Sequence, residues 1–182
     1  MEFKETKFSG VFEIKPRVFN DSRGYFFESF NQALFEKYVP CTTFVQDNQS
    51  FSTKNVLRGL HFQKPPYTQG KLVRVVKGKV LDVIVDLRLD SPTYGEWASF
   101  ELSSTDNNML YVAEGFAHGF VTLEDTIFTY KCTKVYNKAS EGGIIWNDDE
   151  LNIDWSLKDP VVSEKDQMLI SFKEFEKQKI GF

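Results

Sequence analysis

The sequence predicts a mainly β protein, a β-sandwich or jelly-roll barrel with short helices at its periphery. Short segments rich in β-branched and aromatic residues recur along the chain, and turn residues separate each segment from the next. Helical patterns are confined to residues 31–38 and to the tail from 163 to 179. Because no repeat, low-complexity tract or linker interrupts the 182 residues, we expect one domain covering 1–182. Many short antiparallel strands at close spacing favour a barrel that is open at one end and can hold a small molecule.

The predicted elements of the N-terminal part begin with a strand over 10–19. The segment Asp-Ser-Arg-Gly-Tyr-Phe-Phe-Glu at 21–28 then reads as a turn that enters a further strand. Arg23 and Glu28 are the ligand groups that this segment offers, unless it is a surface loop with an ion pair. A helix is predicted over 31–38.

Two strands are predicted next, over 43–51 and 56–63. In the first, Gln46 and Asn48 share one face, where their amides either hydrogen-bond a ligand or face water. The second contains the hexapeptide Arg-Gly-Leu-His-Phe-Gln at 58–63. A glycine inside such a strand is typical of a bulge or of a close backbone approach.

Residues 69–88 have the clearest strand pattern in the chain. Leucine or valine occupies positions 81, 83, 85 and 87, and these positions alternate with a second face. The tripeptide Lys-Gly-Lys at 77–79 separates this arm from the arm before it, so we predict a hairpin that turns at Gly78. The remaining predictions are strands over 98–102, 109–112, 119–123 and 126–136, and a C-terminal helix over 163–179 with Ser163 at its N-cap.

Composition excludes several classes of function. The 22 basic and 26 acidic residues give a formal charge of −4, which argues against general binding of nucleic acid or anionic membranes. No stretch approaches the ~18 apolar residues of a membrane span, and residues 1–5 are charged where a signal peptide is apolar. Cys41 and Cys132 have neither metal nor redox spacing. We therefore expect a cytoplasmic protein that binds a small molecule.

Only 2 histidines occur in the chain, and each lies in a dense local motif. Imidazole can take or give a proton near neutral pH, because its unperturbed pKa is about 6.5. His61 lies close in sequence to Arg58 and Lys71; the alternative to a catalytic role is a hydrogen-bonded structural histidine. His118 lies in Gly-Phe-Ala-His-Gly-Phe at 115–120. The alternative to a catalytic role here is a tight turn that enters an apolar strand and contains a structural histidine. Two histidines also limit any metal site of three or four ligands.

Further candidates lie on the strand over 126–136 and at the C-terminal helix. If that strand is unbroken, Tyr130 and Tyr136 share a face, and a buried tyrosine hydroxyl can donate a proton. Ordinary aromatic packing is the alternative. Asp166 lies in the first turn of the predicted helix, where capping alone would explain the segment. The functional alternative is that Asp166 reaches a histidine and orients its imidazole, as an acid–base dyad requires.

Taken together, these segments resemble the dTDP-4-dehydrorhamnose 3,5-epimerase family of cupin-type sugar-nucleotide enzymes. The resemblance runs in the same order and with similar spacing over residues 21–166. The matching stretches are DSRGYFFESF (21–30), FVQDNQS (44–50), VLRGLHFQ (56–63), QGKLVRVVKGKVLDVIVDLR (69–88), SPTYGEW (91–97), GFAHGF (115–120), YKCTKVY (130–136) and SEKD (163–166).

The resemblance implies a cupin-type jelly roll that epimerises a dTDP-linked 4-keto-6-deoxy sugar at C3 and C5, for the biosynthesis of dTDP-L-rhamnose. It implies no metal and no cofactor. His61 would be the general base, Asp166 its partner, and Tyr130 the acid on the opposite face of the sugar. Lys71 would stabilise the enolate that forms beside the ketone, with His118 as a second donor.

The resemblance also implies how the nucleotide is held. Tyr136 would stack on the thymine, and Arg58 would line the sugar and phosphate region. Because the family is dimeric, Arg23 and Glu28 would reach the dTDP moiety from a neighbouring subunit. The other implied binding residues are Gln46, Asp47, Asn48, Glu141 and Lys165.

Two departures from the family pattern are visible. The family often has histidine where this chain has Gln49, and a proline-rich turn where it has Ala113-Glu114. Three alternatives to the 3,5-epimerase stay open: an epimerase acting at one carbon only, a catalytically silent cupin that binds a nucleotide sugar, and a metal-dependent cupin. The metal-dependent cupins usually need a His-x-His pair, and here the second position of that pair is Gln63.

Overall fold

Two six-stranded sheets form the body of the protein, and a two-stranded hairpin makes a third, separate sheet. The computed structural model describes residues 1–182. The strands are β1 Glu2–Glu5, β2 Val11–Lys15, β3 Phe19–Asp21, β4 Gly24–Phe26, β5 Gln46–Ser52, β6 Val56–Gln63, β7 Lys71–Lys77, β8 Lys79–Asp86, β9 Trp97–Ser103, β10 Met109–Val112, β11 Phe116–Thr122, β12 Thr126–Cys132, β13 Glu141–Gly143 and β14 Val161–Val162. The helices are α1 Gln32–Phe35, α2 Glu164–Gln167 and α3 Phe172–Lys177, with a 3-10 turn at Lys138–Ser140. The predicted mainly β class is confirmed.

The two large sheets are built from strands that are distant in sequence. The first sheet has the order β1-β2-β10-β7-β12-β5, and the second has the order β13-β6-β11-β8-β9 with β14 beside β6. Every strand pairing is antiparallel except that of β14 with β6. The chain therefore crosses repeatedly from one sheet to the other, as in a jelly roll.

Three apolar clusters hold these layers together. The first lies between the two sheets, where Phe128 of β12 and Ile84 of β8 are both almost fully buried. The second covers the outer face of the second sheet with the C-terminal segment, which contributes Phe175. The third packs α1 on the outer face of the first sheet through Phe35. Each such buried side chain stabilises the fold by about 1.5–3 kcal/mol, so the C-terminal segment is an integral layer of the structure.

The predicted hairpin over 69–88 is wrong, although both of its strands exist. β7 pairs with β10 and β12 in the first sheet, whereas β8 pairs with β11 and β9 in the second. Gly78 joins them at a corner with φ +87°, where a Cβ would lie 2.5 Å from the carbonyl oxygen of Asp125. Alternation reports which faces of a strand are buried, and it carries no information about the hydrogen-bonding neighbour. The two faces predicted for β8 are correct, because Val83 and Ile84 belong to different apolar clusters.

Other predicted strands differ from the structure where the chain turns. The strand over 126–136 ends at Cys132, so the condition for Tyr130 and Tyr136 to share a face is not met. The strand over 10–19 breaks at Pro16, since proline cannot donate to a sheet ladder. The strands over 56–63 and 109–112 have the predicted bounds.

The predicted helices are shorter than their sequence patterns. The helix over 31–38 is confined to α1, and the tail from 163 to 179 forms α2 and α3 instead of one helix. Between α2 and α3, Ile170 forms a bridge with Ile144, and this pairing interrupts the helical run. Ser163 is the N-cap of α2, as predicted. No helix is long and apolar enough to cross a membrane.

A buried carboxylate organises the turn that follows β8. Asp86 is fully buried and accepts hydrogen bonds from the Arg88 guanidinium at 2.7 and 2.9 Å. The hydroxyls of Ser91 and Thr93 each donate to the same carboxylate at 2.7 Å. Burial by itself would raise the pKa of Asp86, but these donors outweigh it and hold the pKa below its usual value. The charge is therefore kept in the folded protein and ties the turn together.

Candidate active site

A cavity of about 410 Å³ lies between the two sheets at one end of the sandwich. Polar side chains line most of this cavity, whereas apolar side chains fill the space deeper between the two sheets. A second lobe of about 270 Å³ shares several of the same walls and extends toward Tyr136 and Glu141. His61, Lys71 and Tyr130 line both lobes, so they lie where the two meet.

His61 and Asp166 form a hydrogen-bonded pair in this cavity. The Nε2 atom of His61 lies 2.8 Å from Oδ1 of Asp166. Because a carboxylate can only accept, Nε2 carries the hydrogen, and Nδ1 is left with the lone pair that a general base needs. The carboxylate is buried, whereas the imidazole side chain is 34% exposed. The pair therefore has a sheltered carboxylate and a base that a ligand can reach.

The local fold of the C-terminal segment brings Asp166 to this position. β14 pairs in parallel with the start of β6, and α2 begins directly after it. The Ser163 hydroxyl accepts from the Asp166 backbone N–H at 3.1 Å, and the Gly59 N–H donates to the carboxylate at 3.3 Å. Although burial opposes the charge, the bonds from His61 and Gly59 hold the pKa of Asp166 below its usual value.

A β-bulge in β6 explains how Arg58 and His61 both face the cavity. Residues three apart on a regular strand point to opposite faces. Here His61 pairs with His118 while Arg58 pairs with Phe120, so β6 contains one extra residue. Gly59 takes φ +143° in this bulge, and a Cβ there would lie 2.6 Å from the backbone of the neighbouring strand. The bulge expected from the sequence is present, and it re-aims both side chains.

Tyr130 and Lys71 face His61 from the opposite sheet. Tyr130 lies on β12 and Lys71 on β7, and the Lys71 Nζ lies 6.0 Å from the centre of the Tyr130 ring. Burial raises the pKa of the Tyr130 hydroxyl, which keeps it protonated as a donor requires. Burial also lowers the pKa of the Lys71 ammonium, with the nearby Cys132 and Asp82 opposing that effect. A proton donor and a cation are thus placed across the cavity from the base.

His118 is held by a carboxylate that the sequence analysis missed. Its Nε2 lies 2.9 and 3.0 Å from the two oxygens of Asp82, which is fully buried on the adjacent strand β8. To donate a second hydrogen bond from Nδ1, the imidazole must be protonated, and Asp82 supplies the counter-charge for that state. The second face of β8, where aspartates at 82 and 86 alternate with Val80 and Ile84, was the sequence signal that could have identified it.

Charged and aromatic groups line the rim of the cavity. Lys165 donates to Glu141 at 2.5 Å, and the Tyr136 hydroxyl donates to the other oxygen of Glu141 at 2.9 Å. Burial of Glu141 is outweighed by these donors, so its pKa lies below the usual value. Arg58 donates to the Ser52 hydroxyl at 3.0 Å and lines the larger lobe.

The three predicted nucleotide contacts on β5 lie on two different faces of that strand. Gln46 and Asn48 lie on the face that lines the smaller lobe, and their amides are bonded to each other at 2.9 Å. Asp47 lies on the opposite face and forms an ion pair with Lys131 at 2.9 Å. Since successive side chains of a strand alternate, the side chain of Asp47 does not enter the cavity.

Arg23 and Glu28 lie outside this cavity. Arg23 is carried by the β3–β4 hairpin, its side chain is 88% exposed, and its ion-pair partner is Asp21 of the same hairpin. Glu28 accepts from the Asn31 side chain at 3.2 Å. The hairpin pairs with neither large sheet. The predicted site residues therefore line the cavity or its smaller lobe, with three exceptions: Asp47, Arg23 and Glu28.

Two further observations bear on the metal-dependent alternative. Gln63 occupies the position of a second metal ligand, and its amide is bonded to the backbone of Asn137. No group of three His, Cys, Asp or Glu side chains has an arrangement that could hold a metal ion. What the arrangement can do is move protons, with a base on one wall and an acid and a cation on the other.

Comparisons with known proteins agree on one family. The family model described as dTDP-4-dehydrorhamnose 3,5-epimerase matches residues 5–174. The dTDP-4-dehydrorhamnose 3,5-epimerase of Shigella flexneri is 50% identical over 168 residues, which is 91% of this chain and 93% of that relative. The epimerase structure from Legionella pneumophila in complex with dTDP-4-keto-L-rhamnose superposes with a TM-score of 0.93, at 40% identity, over 99% of this chain and 97% of that one. A 3'-monoepimerase from Streptomyces bikiniensis in complex with dTDP-quinovose has the same fold at 28% identity, with a TM-score of 0.90 over 96% and 89% of the two chains.

Proposed function

The chain belongs to the dTDP-4-dehydrorhamnose 3,5-epimerase family and has its cupin-like fold, and on that premise we propose how its residues carry out the reaction. It is an isomerase of rhamnose biosynthesis that converts dTDP-4-dehydro-6-deoxy-D-glucose to dTDP-4-dehydro-L-rhamnose by inverting C3 and C5. One observation carries the residue roles: the His61–Asp166 pair on one sheet faces Tyr130 and Lys71 on the other. Only protons move in this reaction, so it needs no redox cofactor.

The first step is removal of a proton from a carbon beside the ketone. Both C3 and C5 adjoin the C4 carbonyl, so their hydrogens are acidified by the same group. The Nδ1 atom of His61 takes the proton, and Asp166 stabilises the imidazolium that results. The electron pair of the broken C–H bond moves to the carbonyl oxygen as an enolate. The Lys71 ammonium and His118 stabilise that negative charge.

The second step is return of a proton to the other face of the same carbon. Tyr130 lies on the wall opposite His61, so the proton from its hydroxyl reaches the face from which none was removed. Collapse of the enolate onto that proton restores the ketone with inverted configuration. Tyr130 and His61 then return to their starting protonation by exchange with solvent. Two such cycles, one at each carbon, complete the conversion.

The smaller lobe and its rim are suited to the nucleotide. Tyr136 is half exposed, so its ring is accessible for stacking on thymine while its hydroxyl stays bonded to Glu141. Lys165 and Arg58 supply positive charge for the diphosphate and sugar. Gln46 and Asn48 present amides along the same wall, whereas the side chain of Asp47 lies on the opposite face of β5 and pairs with Lys131.

We infer that the active protein is a homodimer in which the β3–β4 hairpin of each subunit completes the site of its partner. The hairpin exposes three aromatic side chains, Phe19 at 50%, Tyr25 at 60% and Phe26 at 67%. Aromatic groups at an exposed tip are typical of protein interfaces. This arrangement would bring Arg23 and Glu28 to the dTDP moiety in the partner's cavity, since neither side chain lies in the cavity of its own chain.

Mixing two inactive variants tests this dimer. We expect the Arg23→Ala and His61→Ala proteins each to be nearly inactive. After unfolding and refolding together, half of the dimers are mixed, and one of the two sites in each mixed dimer is intact. Activity should therefore rise to about one quarter of the wild-type value. A mixture no more active than its components would refute the shared site.

The reaction itself is tested by proton NMR in deuterium oxide with dTDP-4-keto-6-deoxyglucose as substrate. We expect deuterium at both C3 and C5, and a coupled reductase should then yield dTDP-L-rhamnose. His61→Asn should abolish exchange at both carbons while leaving dTDP binding measurable by calorimetry. Incorporation at one carbon only would favour a single-carbon epimerase. Tight dTDP binding without any exchange would indicate a silent nucleotide-sugar-binding cupin.

We also propose that residues 1–182 act as one domain in the cytoplasm. The apolar clusters link the N-terminal strands, both sheets and the C-terminal helices, which supports a single unit. Both cysteines are free thiols, with Cys41 exposed and Cys132 buried, and such thiols suit a reducing compartment.

A further inference from the structure

The segment that carries Tyr136 has no sheet neighbour. β12 ends at Cys132, and the 3-10 turn begins at Lys138. The backbone N–H groups of the residues between them therefore have no partner in a neighbouring strand. The partners of two of these groups are glutamine side chains.

The amides of Gln46 and Gln63 bind consecutive backbone groups of this segment. The Tyr136 N–H donates to Oε1 of Gln46 at 2.8 Å. The Asn137 N–H donates to Oε1 of Gln63 at 2.7 Å, and Nε2 of Gln63 donates back to the Asn137 carbonyl at 3.2 Å. Gln63 is only 6% exposed, so both ends of its amide are used inside the protein. A primary amide has both a donor and an acceptor, so at any pH it can pair in this way with both the N–H and the C=O of a peptide.

The two glutamines belong to different sheets. Gln46 is the first residue of β5 in the first sheet, and Gln63 is the last residue of β6 in the second sheet. The segment with Tyr136 therefore bridges the open end of the sandwich and is held at both sides. Gln63 also lies two residues from His61 on the same strand, so the two side chains point to the same side.

We propose that Gln63 is a positioning residue that fixes Tyr136, and through it the nucleotide, relative to His61. This inference rests on the proposed function, in which Tyr136 stacks on thymine. No contact of Gln63 with the reacting sugar is needed. Its amide is the bond that ties this segment to β6, the strand that carries His61, so the base and the nucleotide anchor are held by the same strand.

The test combines calorimetry with dTDP and steady-state kinetics. Tyr136→Ala should weaken dTDP binding by about 5- to 150-fold, the range for loss of one base–aromatic stack. Gln63→Ala should weaken it by about five- to tenfold and raise KM similarly, while kcat at saturating substrate falls less than about threefold. Gln32→Ala is the matched control, because it removes a 2.7 Å bond from a glutamine to a backbone carbonyl, that of Thr42, outside both lobes. It should change affinity less than about twofold.

A double-mutant cycle separates positioning from a general structural effect. If Gln63 acts through Tyr136, adding Gln63→Ala to Tyr136→Ala should change the dTDP affinity by less than about twofold. Equal losses in both backgrounds would overturn the inference. So would a Gln63→Ala protein that binds dTDP as tightly as the wild type, provided that Tyr136→Ala weakens binding. Wild-type protein that binds no dTDP would instead overturn the proposed function, and the nucleotide role of Gln63 with it.

Gln63→Glu keeps the inference testable if the alanine variant does not fold. Its carboxylate still accepts from the Asn137 N–H, but its second oxygen faces the Asn137 carbonyl and repels it. Protonation converts that oxygen to a donor and restores the pair. The dTDP affinity of this variant, divided by that of the wild type at the same pH, should therefore be higher at pH 5 than at pH 8. A ratio that does not change with pH would contradict the role of the Asn137 bond.

Discussion

Replacing Asp166 with asparagine tests whether its carboxylate orients the imidazole of His61. The carboxylate accepts from His61 Nε2 at 2.8 Å through one oxygen and from the Gly59 N–H at 3.3 Å through the other. An asparagine has one oxygen and one NH2 in the same two places. Whichever way the amide is turned, its NH2 takes the place of an oxygen that accepts a hydrogen bond in the wild type. The substitution preserves the shape of the side chain and removes its charge and one of its two acceptor oxygens.

The two orientations of the amide have different costs. If the NH2 faces Gly59, two buried donors oppose each other, at about 1–3 kcal/mol, and the imidazolium formed in the reaction loses its counter-charge. If the NH2 faces His61, it donates to Nε2, so Nδ1 carries the hydrogen and cannot act as the base. A wrong tautomer of this kind costs about 10⁴-fold in kcat in serine proteases. We therefore expect kcat for Asp166→Asn to fall between about 10² and 10⁴-fold, or about 3–5.5 kcal/mol.

The rate of deuterium incorporation at C3 and C5 of the substrate measures this loss directly. Glu164→Gln is the matched control, because it removes a charge from the exposed first turn of the same helix without touching His61. It should retain nearly full exchange. Since the pKa of Asp166 lies below its usual value, the wild-type rate should not depend on its protonation anywhere near neutral pH. Asp166→Asn exchange within tenfold of the wild type would refute the assignment of the pair.

Two further predictions concern buried charges. Because burial lowers the pKa of Lys71, kcat should decline on the alkaline side at a pH below about 10.4, the ordinary lysine value. The Lys71→Arg variant stays charged, so its pH–rate profile should lack that decline. An unchanged profile would assign the decline to another group. Since the pKa of Tyr130 is raised, that hydroxyl is not the group expected to titrate first. Asp86→Asn should destabilise the fold by about 3–5 kcal/mol, which lowers Tm by about 2–4 °C per kcal/mol in a thermal melt followed by circular dichroism. The control is Asp90→Asn at an exposed neighbouring position, which should change Tm little. The pKa of Asp86 is lowered in the folded protein, so its stabilisation is present above about pH 4, the ordinary aspartate value, and is lost as the pH falls through the folded pKa. A difference in stability between variant and wild type that does not shrink on acidification would contradict the charge argument.

Much of the strand content was predictable because alternation is a local property. The faces of β8 and the bounds of β6 and β10 follow from their own side chains. The pairing of β7 and β8 was predicted wrongly for the same reason. Two adjacent alternating arms with a glycine between them have the same pattern whether they pair with each other or diverge at a corner.

The candidate site was predictable in its motifs and less so in its geometry. The bulge was indicated by Gly59, and Ser163 indicated the cap that orients Asp166. Asp82 was overlooked, because its place between Val80 and Ile84 indicates a buried carboxylate without indicating its partner, His118, which the pairing of β11 with β8 supplies. The positions of Asp47 and of the β3–β4 hairpin could not be judged from composition or spacing either.

By itself the sequence determined the β class, the two histidine motifs and the family resemblance, since all three are encoded in short stretches of neighbouring residues. Only the tertiary structure decided which groups meet. His61 and Asp166 are 105 positions apart in the chain, and they lie 2.8 Å apart because β14 pairs with β6. The same folding left Arg23 exposed on a hairpin outside the cavity. Contacts of this kind depend on how sheets stack and strands register, which no local pattern of side chains contains.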